Sequence, residues 1–119
     1  MNHDEVRLVL PAAPEYARVA RLAVAGLATR LGFSYDDVED LRIAVGEVCN
    51  ILAADDSGAR LTLLYRLHPT VLEVEASTQG GGPPLKVAEL SDQILDAVVD
   101  DHAIDVDART IRLVKHHAG

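Results

Sequence analysis

Apolar residues recur at two different spacings along the chain, and the changes of spacing lay out its elements. Val6, Leu8 and Leu10 fall at every second position, which places them on one face of a short strand over residues 6–10. Pro11 and Pro14 end that strand, and Pro14 suits the first turn of a helix. From Glu15 to about Leu31 the spacing changes to three and four, so Tyr16, Val19, Ala23 and Leu27 predict the inward face of a first helix. Gly32 sits where a helix C-cap glycine belongs. Ser34 stands three residues before Asp37, a capping-box spacing that starts a second helix running to about Ala54. Strict alternation returns at Leu61, Leu63, Tyr65 and Leu67, and again at Leu72, Val74 and Ala76 with Glu73 and Glu75 outward. His68-Pro69-Thr70 lies between the two runs, so they read as a β-hairpin. Residues 78–87 contain Gly80-Gly81-Gly82-Pro83-Pro84 and form a loop. Leu90, Ile94, Leu95, Val98 and Val99 mark a third helix, and a short hairpin closes the chain with Thr110 to Val114 as its second strand. The order β-α-α-β-β-α-β(β) has too many strands for a parallel, doubly wound sheet. It predicts an α+β fold, a two-layer α/β sandwich whose mixed, mostly antiparallel sheet carries three helices on one face.

The second helix holds most of the chemistry. At about 100° per residue, Leu41, Val45, Val48 and Leu52 form one core stripe. Ile43, Ala44, Glu47, Ile51 and Ala54 form a second stripe, with Asp40 at its upper end. Glu47 is therefore flanked one turn away on each side by an isoleucine. A carboxylate in that setting either reaches solvent along its own stem or serves a ligand. If it is buried without a partner, Glu47→Gln should leave stability unchanged or raise it by about 1 kcal/mol, because an unpaired buried charge opposes folding.

Length and composition narrow the functional classes. The 119 residues suit one domain, taken as residues 1–119, with room for a single core. No apolar run approaches the ~20 residues of a membrane span, and the acidic start Met-Asn-His-Asp-Glu lacks a signal-peptide hydrophobic region. One cysteine, Cys49, excludes an internal disulfide and reads as an inert buried thiol. These features point to the cytoplasm. The formal net charge of −8 repels nucleic acid phosphates, and the few aromatics, Tyr16, Phe33, Tyr35 and Tyr65, make no stacking platform. His3, His68, His102, His116 and His117 are scattered over termini and turns, so no metal site is expected from them.

The segment Leu41-Arg42-Ile43-Ala44-Val45-Gly46-Glu47-Val48-Cys49 resembles the N-box helix of the anti-sigma-factor serine kinases, members of the GHKL or Bergerat-fold ATPases. That family's pattern is Leu-x-x-Ala-Val-x-Glu-Ala-Cys-x-Asn. Glu15-Tyr16-Ala17-Arg18 is similar to its Glu-x-Phe-Ala-Arg segment, Leu72 to Ala76 to the strand entering its Asp-x-Gly-x-Gly box, and Thr110 to Lys115 to its closing strand. The resemblance implies the histidine-kinase-like ATPase fold and a role in transcription regulation and stress response. It implies ATP and Mg²⁺ as cofactors, an alternative sigma factor and an STAS-type anti-anti-sigma protein as partners, and a homodimer. It implies that Glu47 is the general base, that Thr78, Gly80, Gly82 and Thr110 line the nucleotide pocket, and that Arg18 contacts the partner protein.

The sequence departs from the pattern where the cofactors would bind. The Mg²⁺-ligating asparagine of the family falls at Ile51, while Asn50 stands one residue early and about 100° around the helix. Thr78 replaces the adenine-reading aspartate, and Thr110 lacks the usual preceding glycine. No glycine box precedes the third helix in Ala88-Glu89-Leu90-Ser91-Asp92. Losing one hydrogen bond to a charged group and the one ligand of the ion on this helix costs about 3–6 kcal/mol, or 10²- to 10⁴-fold. The expectation is a regulator that sequesters an alternative sigma factor, with ATP and Mg²⁺ binding weak or absent and kinase activity weak or lost. The acidic stretch from Asp92 to Asp107, with six aspartates and no Lys or Arg, suits a basic partner surface. The alternative is an active ATP-dependent kinase that phosphorylates a serine of an STAS-type protein.

Overall fold

The computed structural model describes residues 4–53, 59–79 and 82–117. The elements are β1 (Asp4–Pro11), a 3-10 turn (Pro14–Tyr16), α1 (Ala17–Leu31), α2 (Tyr35–Leu52), β2 (Arg60–Leu67), β3 (Val71–Thr78), α3 (Glu89–Val98), β4 (Asp101–Asp105) and β5 (Thr110–His116). The five strands form one sheet in the order β1-β2-β3-β5-β4. Every pairing is antiparallel, so the expectation of a mixed sheet gives way to an unmixed one. The reason is the number of helices in the first connection. A pair of antiparallel helices returns the chain to the sheet end it left, so Arg60 pairs with Pro11 and β2 runs back along β1. The backbone N–H of Ala12 closes this junction on the Ala59 carbonyl at 3.0 Å.

The helix boundaries follow local chemistry. Gly32 ends α1 in the left-handed region at φ 94°, where a Cβ would be strained, and its N–H bonds back to the last turn. The Ser34 side chain accepts from the Asp37 N–H at 3.1 Å and starts α2. Ala53 caps α2, and Ala54, the expected helix end, lies outside the described residues.

The helices cover one sheet face. Leu61, Leu63, Tyr65 and Leu67 on β2, Leu72, Val74 and Ala76 on β3, and Ile111 and Leu113 on β5 point into a core closed by Leu41, Val45, Val48 and Leu52 of α2. That α2 stripe is the one its periodicity predicts. The face expected for α1 is corrected: Tyr16 and Val19 are 38% and 41% exposed, while Ala17, Ala20, Val24 and Ala28 are buried. Small side chains let α1 approach α2 closely, and Arg21 lies over the bare Cα of Gly46, where an added Cβ would stand 3.4 Å from its Cδ. Tyr65 reaches across the core to donate its hydroxyl to the Ala20 carbonyl at 3.0 Å, and burial pushes that phenol far above its ordinary range. In α3 only Leu95 is fully buried, and Leu90, expected inward, is 65% exposed.

The opposite sheet face carries charge. Arg66 pairs with Glu75 at 2.9 Å and Glu5 at 3.4 Å, and Arg112 pairs with Glu73 at 3.2 Å. Burial pushes the Glu73 carboxyl up, but the bonds from His68 and Arg112 outweigh it and hold it below the usual carboxylate range.

Candidate functional site

The residues singled out in the sequence fall into separate groups: Glu47 on α2 meets the first turn of α3, and Thr78 at the end of β3 meets the β4–β5 turn. Glu47 is half-buried on α2 and accepts the Ser91 hydroxyl at 2.6 Å, so the first turn of α3 is pinned to the middle of α2. The second α2 stripe divides on folding. Ala44 and Ile51 are buried, at 0% and 7% exposure, whereas Ile43 is 49% exposed and is not part of an enclosed lining. Asp40, at the upper end of that stripe, takes a different part. Its Oδ2 lies 3.3 Å from Nζ of Lys115, which also donates to the Val98 carbonyl at 2.7 Å. Lys115 is buried at the inward position after Ile111 and Leu113, and its ammonium ties β5 to α2 and to the end of α3.

The end of β3 is equally committed. Thr78 occupies the inward position after Leu72, Val74 and Ala76 and is buried. Its hydroxyl accepts from Nε of Arg109 at 2.9 Å, and Nη1 of the same guanidinium donates to the Pro83 carbonyl at 2.7 Å. Gly82 lies against that guanidinium, and Gly80 lies outside the described residues. Thr110 does not join Thr78. It pairs in register with Ser77, and its hydroxyl donates to the Ala108 carbonyl at 3.3 Å, so alternation puts it on the sheet face opposite Thr78. Asn50 is exposed on α2, about 100° around the helix from Ile51, and Arg18 is exposed on α1. Cys49 is buried beside Asn50, and burial pushes its thiol up to about 11 against a weaker pull from Arg21, which makes it a poor nucleophile.

Ile51 is buried and offers no side-chain oxygen, Asn50 is exposed about 100° around the helix from it, and the Thr78 hydroxyl accepts from the Arg109 guanidinium.

Three functional groups escaped the sequence reading. Ser91 and Arg109 carried no periodic or motif signal. Lys115 did carry one, a charged residue at an inward strand position, which calls for buried partners.

No protein-family model matches the chain. It is 42% identical over 83 residues to the serine-protein kinase RsbW of Listeria monocytogenes serotype 4a (strain HCC23), covering 66% of this chain and 52% of that protein. It is 38% identical over 80 residues to the serine-protein kinase RsbW of Bacillus cereus (strain B4264), covering 65% and 50%. The chain thus spans about half the length of the curated relatives it matches. Among solved structures, the RsbU and RsbW domains of Rv1364c from Mycobacterium tuberculosis superpose with a TM-score of 0.68 over 96% of this chain and 32% of that one. At 15% identity that likeness speaks for the fold alone. The chain is therefore a relative of the anti-sigma-factor serine-protein kinases of the RsbW type, with the GHKL-like two-layer fold that its second helix pointed to.

Proposed function

We propose that this chain is a single-domain, cytoplasmic anti-sigma regulatory protein that binds and sequesters an alternative sigma factor, with nucleotide binding weak or lost. One observation carries the reading: on α2 the Glu47 carboxylate is taken by Ser91 while Ile51 stands buried one turn further on. That face offers a nucleotide-bound Mg²⁺ no oxygen from position 51, and Mg²⁺ sites draw on only one or two protein ligands. Phosphoryl transfer relies on that ion for positioning and charge neutralisation. What remains is a protein-binding surface. Arg18, exposed on α1, is the proposed contact to the sigma factor or its antagonist, and the aspartates of α3 and β4 suit a basic partner. Nucleic acid is not proposed as a partner, and no helix among the described residues is long and apolar enough to cross a membrane.

A second reading, an ATP-dependent kinase acting on a serine of an STAS-type protein, is favoured by one feature. Glu47 accepts a serine hydroxyl at 2.6 Å, which is what a general base in such a kinase does with its substrate. Calorimetry with Mg²⁺-ATP, paired with a pull-down of alternative sigma factors from the native cytoplasm, separates the two. The expected result is nucleotide affinity in the millimolar range or weaker together with sigma-factor binding that needs no ATP. A micromolar dissociation constant for Mg²⁺-ATP overturns the first reading in favour of the kinase.

A further inference from the structure

Arg109 combines two features that an ordinary surface arginine lacks. Its backbone is left-handed, at φ 57°, a region that residues other than glycine, asparagine and aspartate rarely enter. Its side chain is 3% exposed although it lies in the turn between β4 and β5. Such a conformation persists only where the surroundings over-determine it. Here they do so through three contacts from two segments. Nε donates to Thr78 at the end of β3, Nη1 donates to the Pro83 carbonyl in the Gly/Pro loop, and Gly82 packs on the guanidinium plane. Gly82 is itself at φ 146°, and a Cβ there would stand 3.4 Å from Cζ of Arg109 and 3.5 Å from Nε and Nη1. At those distances a Cβ would make ordinary van der Waals contact, so it is the backbone angle, and not the guanidinium, that calls for glycine here.

We propose that Arg109 is an internal plug: its guanidinium fills the space between Thr78 and the Gly/Pro loop and thereby excludes an adenine nucleotide. The proposal rests on the reading of Thr78 and Gly82 as parts of a lapsed nucleotide pocket. Its chemistry is complementary in the wrong sense for adenine. The exocyclic amine of adenine donates hydrogen bonds and needs an acceptor, whereas a guanidinium presents donors only. Restoring an aspartate at position 78 would not be sufficient, because the new carboxylate would pair with Arg109 rather than with the base.

The test is calorimetric titration of ADP, with and without Mg²⁺, into the wild type, Thr78→Asp, Arg109→Gly and the double variant, with a thermal melt of each. Glycine adopts the left-handed backbone freely, so Arg109→Gly removes the plug without adding strain. Arg109→Asn, which also tolerates that backbone and is too short to reach Thr78, replaces it if the glycine variant does not fold. The expected result is that the double variant binds ADP at least about tenfold more tightly than Thr78→Asp alone, the value of one hydrogen bond to a charged acceptor. Equal affinities in those two folded proteins, or no ADP binding in either, overturn the plug while leaving the weak-nucleotide reading standing. Micromolar ADP binding by the wild type overturns that reading and the plug together.

Discussion

Removing the Ser91 hydroxyl measures how firmly α3 is held to α2. The bond to Glu47 is 2.6 Å long and joins residues 44 apart in sequence. A hydrogen bond to a charged group contributes about 1.5–3 kcal/mol net. Both partners are half-buried, so water recovers part of that, and about 1–2 kcal/mol is the working value for Ser91→Ala. Alanine is also the better helix former, which masks up to about 0.5 kcal/mol of the loss. Glu47→Gln keeps an acceptor oxygen and exchanges a charged bond for a neutral one, so it should cost about 1 kcal/mol. Sequence alone, which sees Glu47 between Ile43 and Ile51 without a partner, gives the opposite sign. The assay is urea unfolding of the wild type, both single variants and the double variant. With m near 1–3 kcal/mol/M, 1 kcal/mol moves the midpoint by roughly 0.3–1 M. The double-mutant cycle cancels the propensity term and should return a coupling of about 1 kcal/mol. Single effects that sum to the double effect within about 0.3–0.5 kcal/mol would show that the charge of Glu47 adds nothing to the contact and refute the reasoning.

Three further outcomes follow from the geometry. Lys115→Ala strands Asp40 and Asp37 beside a vacated cavity. It should cost about 1–3 kcal/mol in a denaturation series, less than a fully buried pair because both carboxylates reach water. Glu73 is held below the usual carboxylate range, so it contributes stability above the unfolded-state value near ~4.3, and that contribution is lost as pH falls through the lower folded value. Melts of Glu73→Gln against wild type should therefore differ at pH 7 and converge in acid, and a gap that stays constant with pH contradicts this. Arg18→Ala should leave stability within about 0.5 kcal/mol while weakening binding to the sigma factor or its antagonist; unchanged affinity for both makes Arg18 an ordinary solvated charge.

The elements of this chain were legible in the sequence because the signals that set them are local. The Ser34 cap, the Gly32 terminus, the hairpin at His68 to Thr70 and the α2 stripe of Leu41, Val45, Val48 and Leu52 each lie within a turn or two of chain. The inward face of α1 was not legible. Its alanines carry little hydrophobic weight, and only the close approach of α2 selects Ala17, Ala20 and Ala28 over the larger Tyr16 and Val19. Strand direction was likewise a tertiary matter, decided by a helical pair that brings the chain back to its starting edge. The site divides in the same way. Glu47 and Thr78 stand out by resemblance, and Ile51 by its departure from the pattern. What occupies Glu47 and Thr78 does not stand out, because Ser91 and Arg109 find their partners 44 and 31 residues away. No period or motif spans those separations. The pairings exist because packing the helices on one sheet face buries polar groups that must then find partners within the fold.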